Sequence, residues 1–239
     1  MILFEFSYGA TALYTGDFRL TKEDWNSFAA LRVSREQATL KRIDALYFDS
    51  TFCTEESRRI LPRDDCKLFT ILTIKWWLAQ TKSKVLIWSY GSYGHEFGHE
   101  FMLRSIWKEL KMKIHVTEDR MKTYESCGRR FSEFATTDPS ATRVHACVYW
   151  DHGEESEKPS SKQVLGCPGC PSEDKNVMVI KLSMKWFKMQ QAAMNLENPL
   201  VRVTERRFTR IQYSCHSSLS EVEDAFRILR PRRADPNVV

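Results

Sequence analysis

The sequence predicts an α/β protein, and three observations carry the prediction. Apolar runs that read as buried strands recur along the 239 residues, at Ile43–Phe48, Lys84–Tyr90 and Asn176–Leu182. Stretches with helical spacing of apolar residues lie between them, an order typical of α/β units. The composition, 42% hydrophobic and 28% charged with 9 Gly and 8 Pro, excludes collagen-like, low-complexity and mostly disordered chains. The length suits one large domain or two small ones.

The elements follow in order. Ile2–Phe6 and Ala10–Tyr14 flank Tyr8-Gly9 and read as a hairpin. Ile43–Phe48 is the next strand. Pro62 followed by Asp64 and Asp65 opens a helix, acid lying at the positive end of its dipole. Leu68, Ile71, Leu72 and Ala79 supply its predicted buried stripe. Lys84–Tyr90 is a strand, His95–Leu110 a helix, and Lys113–Val116 and Arg143–Tyr149 strands. Asp151–Lys175, polar with Pro, Gly and Ser, is the one long loop and needs something to pin it. Asn176–Leu182, Leu200–Val203 and Phe208–Tyr213 are strands. Ser218 and Glu221 form a capping box opening a helix that Pro231 stops.

No apolar run reaches membrane-spanning length, so no membrane partner is expected. Met1–Tyr14 holds Glu5 and Gly9 and lacks a basic start, unlike a signal peptide. Seven cysteines, an odd number, point to a reduced, intracellular protein in which metal ligation is the interesting use of thiols. The net charge of +5 is mild. Arginine nevertheless concentrates at Arg202, Arg206, Arg207, Arg210, Arg227, Arg230, Arg232 and Arg233. Their forks suit phosphate oxygens, although a solvated face is the commoner meaning of such a run.

Asp17, Asp49, His145 and His216 fall at strand ends, where α/β folds place ligands. Carboxylates there can bridge divalent cations, but an Asp after a strand is more often a cap or turn former. His145-Ala-Cys147 puts two ligands on one face of a strand, and Cys167-Pro-Gly-Cys170 is a tight knuckle. With His115 they make a candidate zinc set that would hold the long loop. The competing reading is free buried thiols beside a core histidine. His95-Glu96-Phe-Gly-His99 matches the zincin pattern, two imidazoles one helical turn apart with Glu96 as base. Gly98 weakens the helix this requires, and no third ligand stands out.

Several segments carry a family resemblance: Thr15-Gly-Asp17-Phe-Arg19, Tyr47-Phe-Asp49-Ser-Thr-Phe-Cys53, Val144-His145-Ala-Cys147, Ile180-Lys-Leu-Ser-Met-Lys-Trp-Phe187, Ser214-Cys-His216-Ser-Ser-Leu-Ser-Glu221 and Asp235-Pro-Asn-Val238. In this order they resemble the Artemis-like DNA repair nucleases, which have a metallo-β-lactamase fold with an inserted β-CASP domain. The resemblance implies incomplete metallo-β-lactamase parts at 1–48 and 205–239 around a β-CASP domain at 49–204. It makes Asp17 a metal-bridging carboxylate, Asp49 an acid beside the metals, and His216 a ligand of the second metal. It makes His115, His145 and Cys147 structural zinc ligands, with Cys167 or Cys170 as the fourth; Cys167 suits the spacing to Ile180-Lys181 better.

The family's HxHxDH and GHCPGS-like motifs do not occur in this sequence, so it reads as the rear portion of a two-metal phosphodiesterase. The implied function is a nuclear DNA endonuclease and 5′ exonuclease of non-homologous end joining and V(D)J recombination. Its substrates would be single strands, hairpins and overhangs, its cofactor zinc, with magnesium or manganese as alternatives. DNA would lie along the arginine-rich region and the groove between the domains. Protein partners would be end-joining factors such as a DNA-dependent protein kinase. Two other classes remain open: a catalytically inactive, zinc-stabilised DNA- or protein-binding module, and an HExxH metalloprotease.

Overall fold

The computed structural model describes residues 1–34, 39–80, 82–88, 98–147, 166–184, 187 and 202–237. Among the described residues the chain divides into two compact units, with division points at Ile60/Leu61 and Tyr213/Ser214. The expected points were 48/49 and 204/205. The first differs because residues 49–60 stay with the first unit: Arg58 pairs with Glu223 at 3.1 Å, and its carbonyl accepts from Ser220 N at 3.2 Å. The second differs because the hairpin through residue 212 completes the sheet of the second unit.

In chain order the first unit begins with β1 (Ile2–Glu5), β2 (Thr11–Tyr14), α1 (Lys22–Trp25) and β3 (Ala45–Phe48). The second unit contributes α2 (Arg63–Leu78), β4 (Lys84–Trp88), α3 (Glu100–Leu110), β5 (Ile114–His115) and α4 (Glu118–Ser126). It continues with α5 (Arg129–Ser132), β6 (Ala135–Thr136), β7 (Val144–His145), β8 (Val177–Ser183), β9 (Arg202–Glu205) and β10 (Phe208–Gln212). The chain returns to the first unit with α6 (Leu219–Leu229) and β11 (Arg233–Pro236).

The first unit's sheet has the order β1-β2-β3-β11. The β1–β2 pair is the predicted antiparallel hairpin, Ile2 opposite Tyr14, turned by Gly9 at φ +86°, a backbone region that glycine enters without penalty. β2, β3 and β11 run parallel. Leu13 and Leu46 face inward and pack with Phe18, Trp25, Ile43, Val222, Ala225 and Leu229. The last three recur at helical spacing on α6 and bury its apolar stripe. The Ser218–Glu221 capping box forms as predicted, Ser218 N donating to Glu221 Oε2 at 2.7 Å.

The second unit's sheet has the order β6-β5-β7-β4-β8-β10-β9, parallel throughout except that β9 runs against β10. α2 covers it with Cys66, Thr70, Ile71, Thr73, Ile74, Trp77 and Leu78. This corrects the predicted stripe, since Leu68 and Leu72 are exposed. Threonines serve on the buried face because their hydroxyls return to the helix: Thr70 donates to Cys66 O at 2.8 Å and Thr73 to Phe69 O at 2.7 Å. α3 begins at Glu100 with His99 as its N-cap, later than the predicted start at His95. Among the described residues no helix is long and apolar enough to cross a membrane.

Candidate functional site

The seven-stranded sheet places His115 and His145 side by side, because β5 and β7 pair in parallel with those residues in register. Cys147 lies two residues beyond His145. Cys167 arrives on the knuckle, where Cys170 N donates to Cys167 O at 2.8 Å. Four ligand atoms converge, all within 4.8 Å of one another. His115 Nδ1 and His145 Nδ1 are 3.1 Å apart. Cys167 Sγ is 3.7 Å and 3.6 Å from these nitrogens, and Cys147 Sγ is 3.9 Å from His145 Nδ1. A tetrahedral zinc with bonds of about 2.0–2.3 Å would have ligand–ligand edges of roughly 3.3–3.8 Å. The set fits that geometry and zinc's preference for nitrogen and sulfur. The thiol brought into the group is Cys167; Cys170 is buried beside it but is not a member.

The surroundings suit a metal better than a hydrogen-bonded cluster. Burial, then the neighbouring His115 charge, pushes the His145 imidazole down to about 4, so it is neutral at pH 7 and able to ligate. Burial raises the Cys147 thiol above its ordinary range, so binding must expel its proton. Arg120, itself buried, holds the ligand strand through a 3.3 Å bond from Nη1 to Ala146 O. Ala146 N donates to His115 O at 2.7 Å.

Gly166 sets the entry to the knuckle at φ +98°, and a Cβ there would stand 2.3 Å from Cys170 O. Gly166→Ala is therefore expected to destabilise the second unit by about 2 kcal/mol or more and to weaken metal retention. Urea denaturation and metal analysis of the purified variant check this.

A second group forms in the first unit from Asp17, Asp49 and His216, with ligand atoms within 4.8 Å. Parallel pairing of β2 and β3 brings the two aspartates to adjacent strand ends. Thr15 stitches the ends together, its N donating to Tyr47 O at 2.9 Å and its Oγ1 accepting from Asp49 N at 3.2 Å. Asp49 is buried; Oδ1 accepts from Thr51 N at 3.0 Å and from Thr51 Oγ1 at 2.6 Å. Its Oδ2 lies 2.8 Å from His216 Nδ1. His216 rides on a turn fixed by Ser214, whose Oγ accepts from His216 N at 2.9 Å, and its ring meets Phe52 edge-on. Asp17 is exposed.

Burial works to raise the Asp49 carboxyl, but hydrogen bonds from His216 and Thr51 outweigh it and hold the group below its ordinary value. The bond to Asp49 raises His216 against burial, with the charges of Asp49 and Asp17 adding. The His216 contribution to stability is full below about 6.5 and fades as pH rises through the elevated folded value; that of Asp49 is full above about 3.9 and fades on acidification. The pair is thus strongest between those limits. NMR titration of metal-free protein is expected to show His216 titrating above 6.5, and Asp49→Asn to return it toward or below that value.

Among the described residues this group offers one ligand atom each from Asp17, Asp49 and His216, with Asp49 Oδ2 and His216 Nδ1 turned to each other. Of the HExxH pattern, His95 and Glu96 lie outside the described residues. His99 is half-buried and stacked on Tyr213 with centroids 5.4 Å apart, and desolvation lowers its imidazole pKa to about 3. Several arginines of the C-terminal run are used internally: Arg227 pairs with Glu223 and Asp224, Arg232 with Asp44, and Arg233 with Asp235. Sequence reasoning missed Arg19 and Arg120 as buried organisers, although Arg19 stands inside a quoted motif.

Residues 130–239 match the family model described as DNA repair metallo-beta-lactamase. The whole chain aligns with protein artemis of Rattus norvegicus at 29% identity and of Homo sapiens at 28%, covering 32% of each. It aligns at 24% identity with DNA cross-link repair protein SNM1 of Arabidopsis thaliana, covering 46% of that protein. At 27% identity, 97% of the chain matches 5′ exonuclease Apollo of Danio rerio, covering 33% of it. The chain thus spans about a third of the length of the artemis relatives.

Proposed function

We propose that this chain, Artemis-like from end to end, is part of a DNA repair nuclease that hydrolyses phosphodiesters at a metal centre. The observation that carries the reading is the convergence of Asp17, Asp49 and His216, the last two 167 residues apart in sequence, in a chain similar to repair nucleases. A metal pair would polarise the phosphate and supply hydroxide. The residues of this chain have separate tasks. Asp17 offers an exposed carboxylate. Asp49 accepts from His216 Nδ1–H, which fixes the tautomer and presents Nε2 outward as the ligand atom. His115, His145, Cys147 and Cys167 would hold a structural zinc that ties the knuckle to the sheet.

The proposal extends to hairpin, overhang and 5′-end processing in end joining and V(D)J recombination, a nuclear location, and end-joining proteins such as a DNA-dependent protein kinase as partners, all implied by the family resemblance of the motifs. The test joins this chain to the HxHxDH-bearing part of an artemis relative and supplies 5′-phosphorylated single strands and hairpins with zinc, magnesium or manganese. Cleavage is expected, and Asp49→Asn should lower it by ~10²-fold or more. No cutting of either substrate ends the nuclease reading. The separate His115–His145–Cys147–Cys167 group favours a second reading, a zinc-stabilised module that binds DNA or protein without cutting. It predicts metal content and salt-sensitive binding with no cleavage in either form.

A further inference from the structure

Helix α2 is apolar on two opposite sides. Its inner side is buried through Ile71, Ile74 and Trp77, with Thr70 and Thr73 among them. Its outer side carries Leu68, Leu72 and Trp76, which are 52%, 51% and 61% exposed. Successive members are four residues apart, so they form one ridge along the helix. Ala79 continues that ridge and is exposed. A helix at a protein surface normally turns its apolar stripe inward and its polar side to water. Here threonines face in while leucines and a tryptophan face out. Single exposed apolar residues are ordinary, whereas a continuous row of large ones marks a contact surface.

The ridge is ordered before any partner arrives. The Trp76 and Trp77 rings lie with centroids 6.0 Å apart, and Trp77 is anchored by Nε1–H donating to Lys84 O at 2.9 Å. Seating Trp76 in an interface therefore sacrifices little side-chain freedom. Charges flank the ridge in a polar order. Asp64 and Lys75 stand on the same flank about three turns apart, the acid near the N-terminal end and the base near the C-terminal end. Both are exposed; Asp64 pairs with Lys67 and Lys75 with Glu109. Such surface pairs hold their members weakly, so either charge can reach outward as well.

We propose that this ridge joins two copies of the chain, their α2 helices packed antiparallel about a two-fold axis through Leu72. Leu72 then meets its own copy, and Leu68 of each chain meets Trp76 of the other, as a self-complementary contact requires. In antiparallel pairing like flank faces like flank, so Asp64 of each copy lies alongside Lys75 of the other. A parallel pair would set like charges together, which disfavours it. From ordinary side-chain areas of about 150–250 Å², the ridge presents on the order of 300–400 Å² per copy. Two such surfaces stay below ~1,200 Å², the class of small, reversible interfaces. The dimer is therefore one that forms and separates in the micromolar range. The inference stands apart from the DNA reading and from both metal groups.

Sedimentation velocity of the 239-residue chain with zinc, from low to high micromolar concentration, tests it. A reversible monomer–dimer equilibrium is expected. Leu72→Glu sets two carboxylates against each other on the axis and should raise the dissociation constant at least ~tenfold. Its melting point should hold, because the side chain is half exposed in the single chain. If that variant melts early, Trp76→Gln gives the same reading from a milder change. Lys75→Glu should weaken the dimer about threefold or more, and Asp64→Lys added to it should restore association. A chain that stays monomeric throughout leaves the ridge to some other protein and overturns the proposal. So does association that ignores Leu72→Glu and Trp76→Gln, or a Lys75→Glu loss that the double change fails to recover. Association lost instead on Tyr14→Ser would place the second copy on the first unit's sheet, where Phe4, Tyr14 and Tyr47 are exposed, and would equally overturn it.

Discussion

Stripping the metal from the His115–His145–Cys147–Cys167 set should abolish cooperative folding of the second unit. Structural zinc contributes apparent binding free energies of about 10–16 kcal/mol near neutral pH, and whole domains are stable by only about 5–15 kcal/mol. Without metal, the unit keeps buried thiols and two imidazole nitrogens facing each other at 3.1 Å, with no charge between them. Treatment with a strong chelator is expected to remove the cooperative thermal transition of this unit, and added zinc to restore it. His145→Ala and Cys167→Ser should reproduce the loss and yield protein without bound metal. Cys170→Ser should keep one zinc per chain, because Cys170 lies outside the group. Rebinding in weak buffer should release at least one proton per zinc, from Cys147. A full, chelator-insensitive transition would remove the structural-zinc reading.

The second large effect is expected at Arg19. Its guanidinium is buried and makes bonds in three directions within the first unit. Nε faces both Glu221 carboxylate oxygens at 3.3 Å, Nη1 donates to Ser214 O at 3.3 Å, and Nη2 donates to Ile60 O at 3.2 Å. Glu221 is also the N3 member of the capping box of α6, whose N-cap is Ser218, and Ser214 begins the turn that carries His216. Arg19→Met removes the cation and leaves a mostly buried carboxylate and two carbonyls without their partner. Breaking a buried pair from one side typically costs 3–5 kcal/mol, so a loss of about 3 kcal/mol or more is expected. Arg19→Lys should rescue little, since an ammonium cannot reproduce a planar fork reaching three acceptors. Urea denaturation gives the stability, and the His216 NMR signal shows whether the turn moves. A Lys variant as stable as the parent would show that charge alone suffices.

Local chemistry made much of this structure legible in advance. The hairpin at Gly9, the strand Lys84–Trp88 and the capped helix at Leu219 follow from turn residues, apolar runs and a capping box. The HxC spacing and the knuckle pointed to side chains that the second unit does bring together, His115, His145, Cys147 and Cys167. Other features depend on tertiary partners. β11 reads Arg-Ala-Asp-Pro, without the pattern of a strand, and is ordered by pairing with β3. α4 is mostly polar, with Met121 and Tyr124 as its two exceptions among nine residues, and offers only Thr117 with Glu118 and Asp119 as a start signal. The α2 stripe was misread because apolar character was weighed above position, whereas threonines whose hydroxyls bond the helix backbone fill the inner face. Arg19 and Arg120 look in sequence like any surface arginine; burial reveals their use.

The first unit is discontinuous: Met1–Ile60 needs Ser214 onward to supply α6, β11 and His216. During synthesis at about 5–20 residues per second, its opening strands must wait roughly 10–30 s for those pieces to leave the ribosome. Leu13, Leu46 and Trp25 are without their helical cover for that interval, so a nascent chain exposes a sticky half-core while the second unit is still being made. Expression at lower temperature, or with abundant chaperones, should therefore raise the soluble yield.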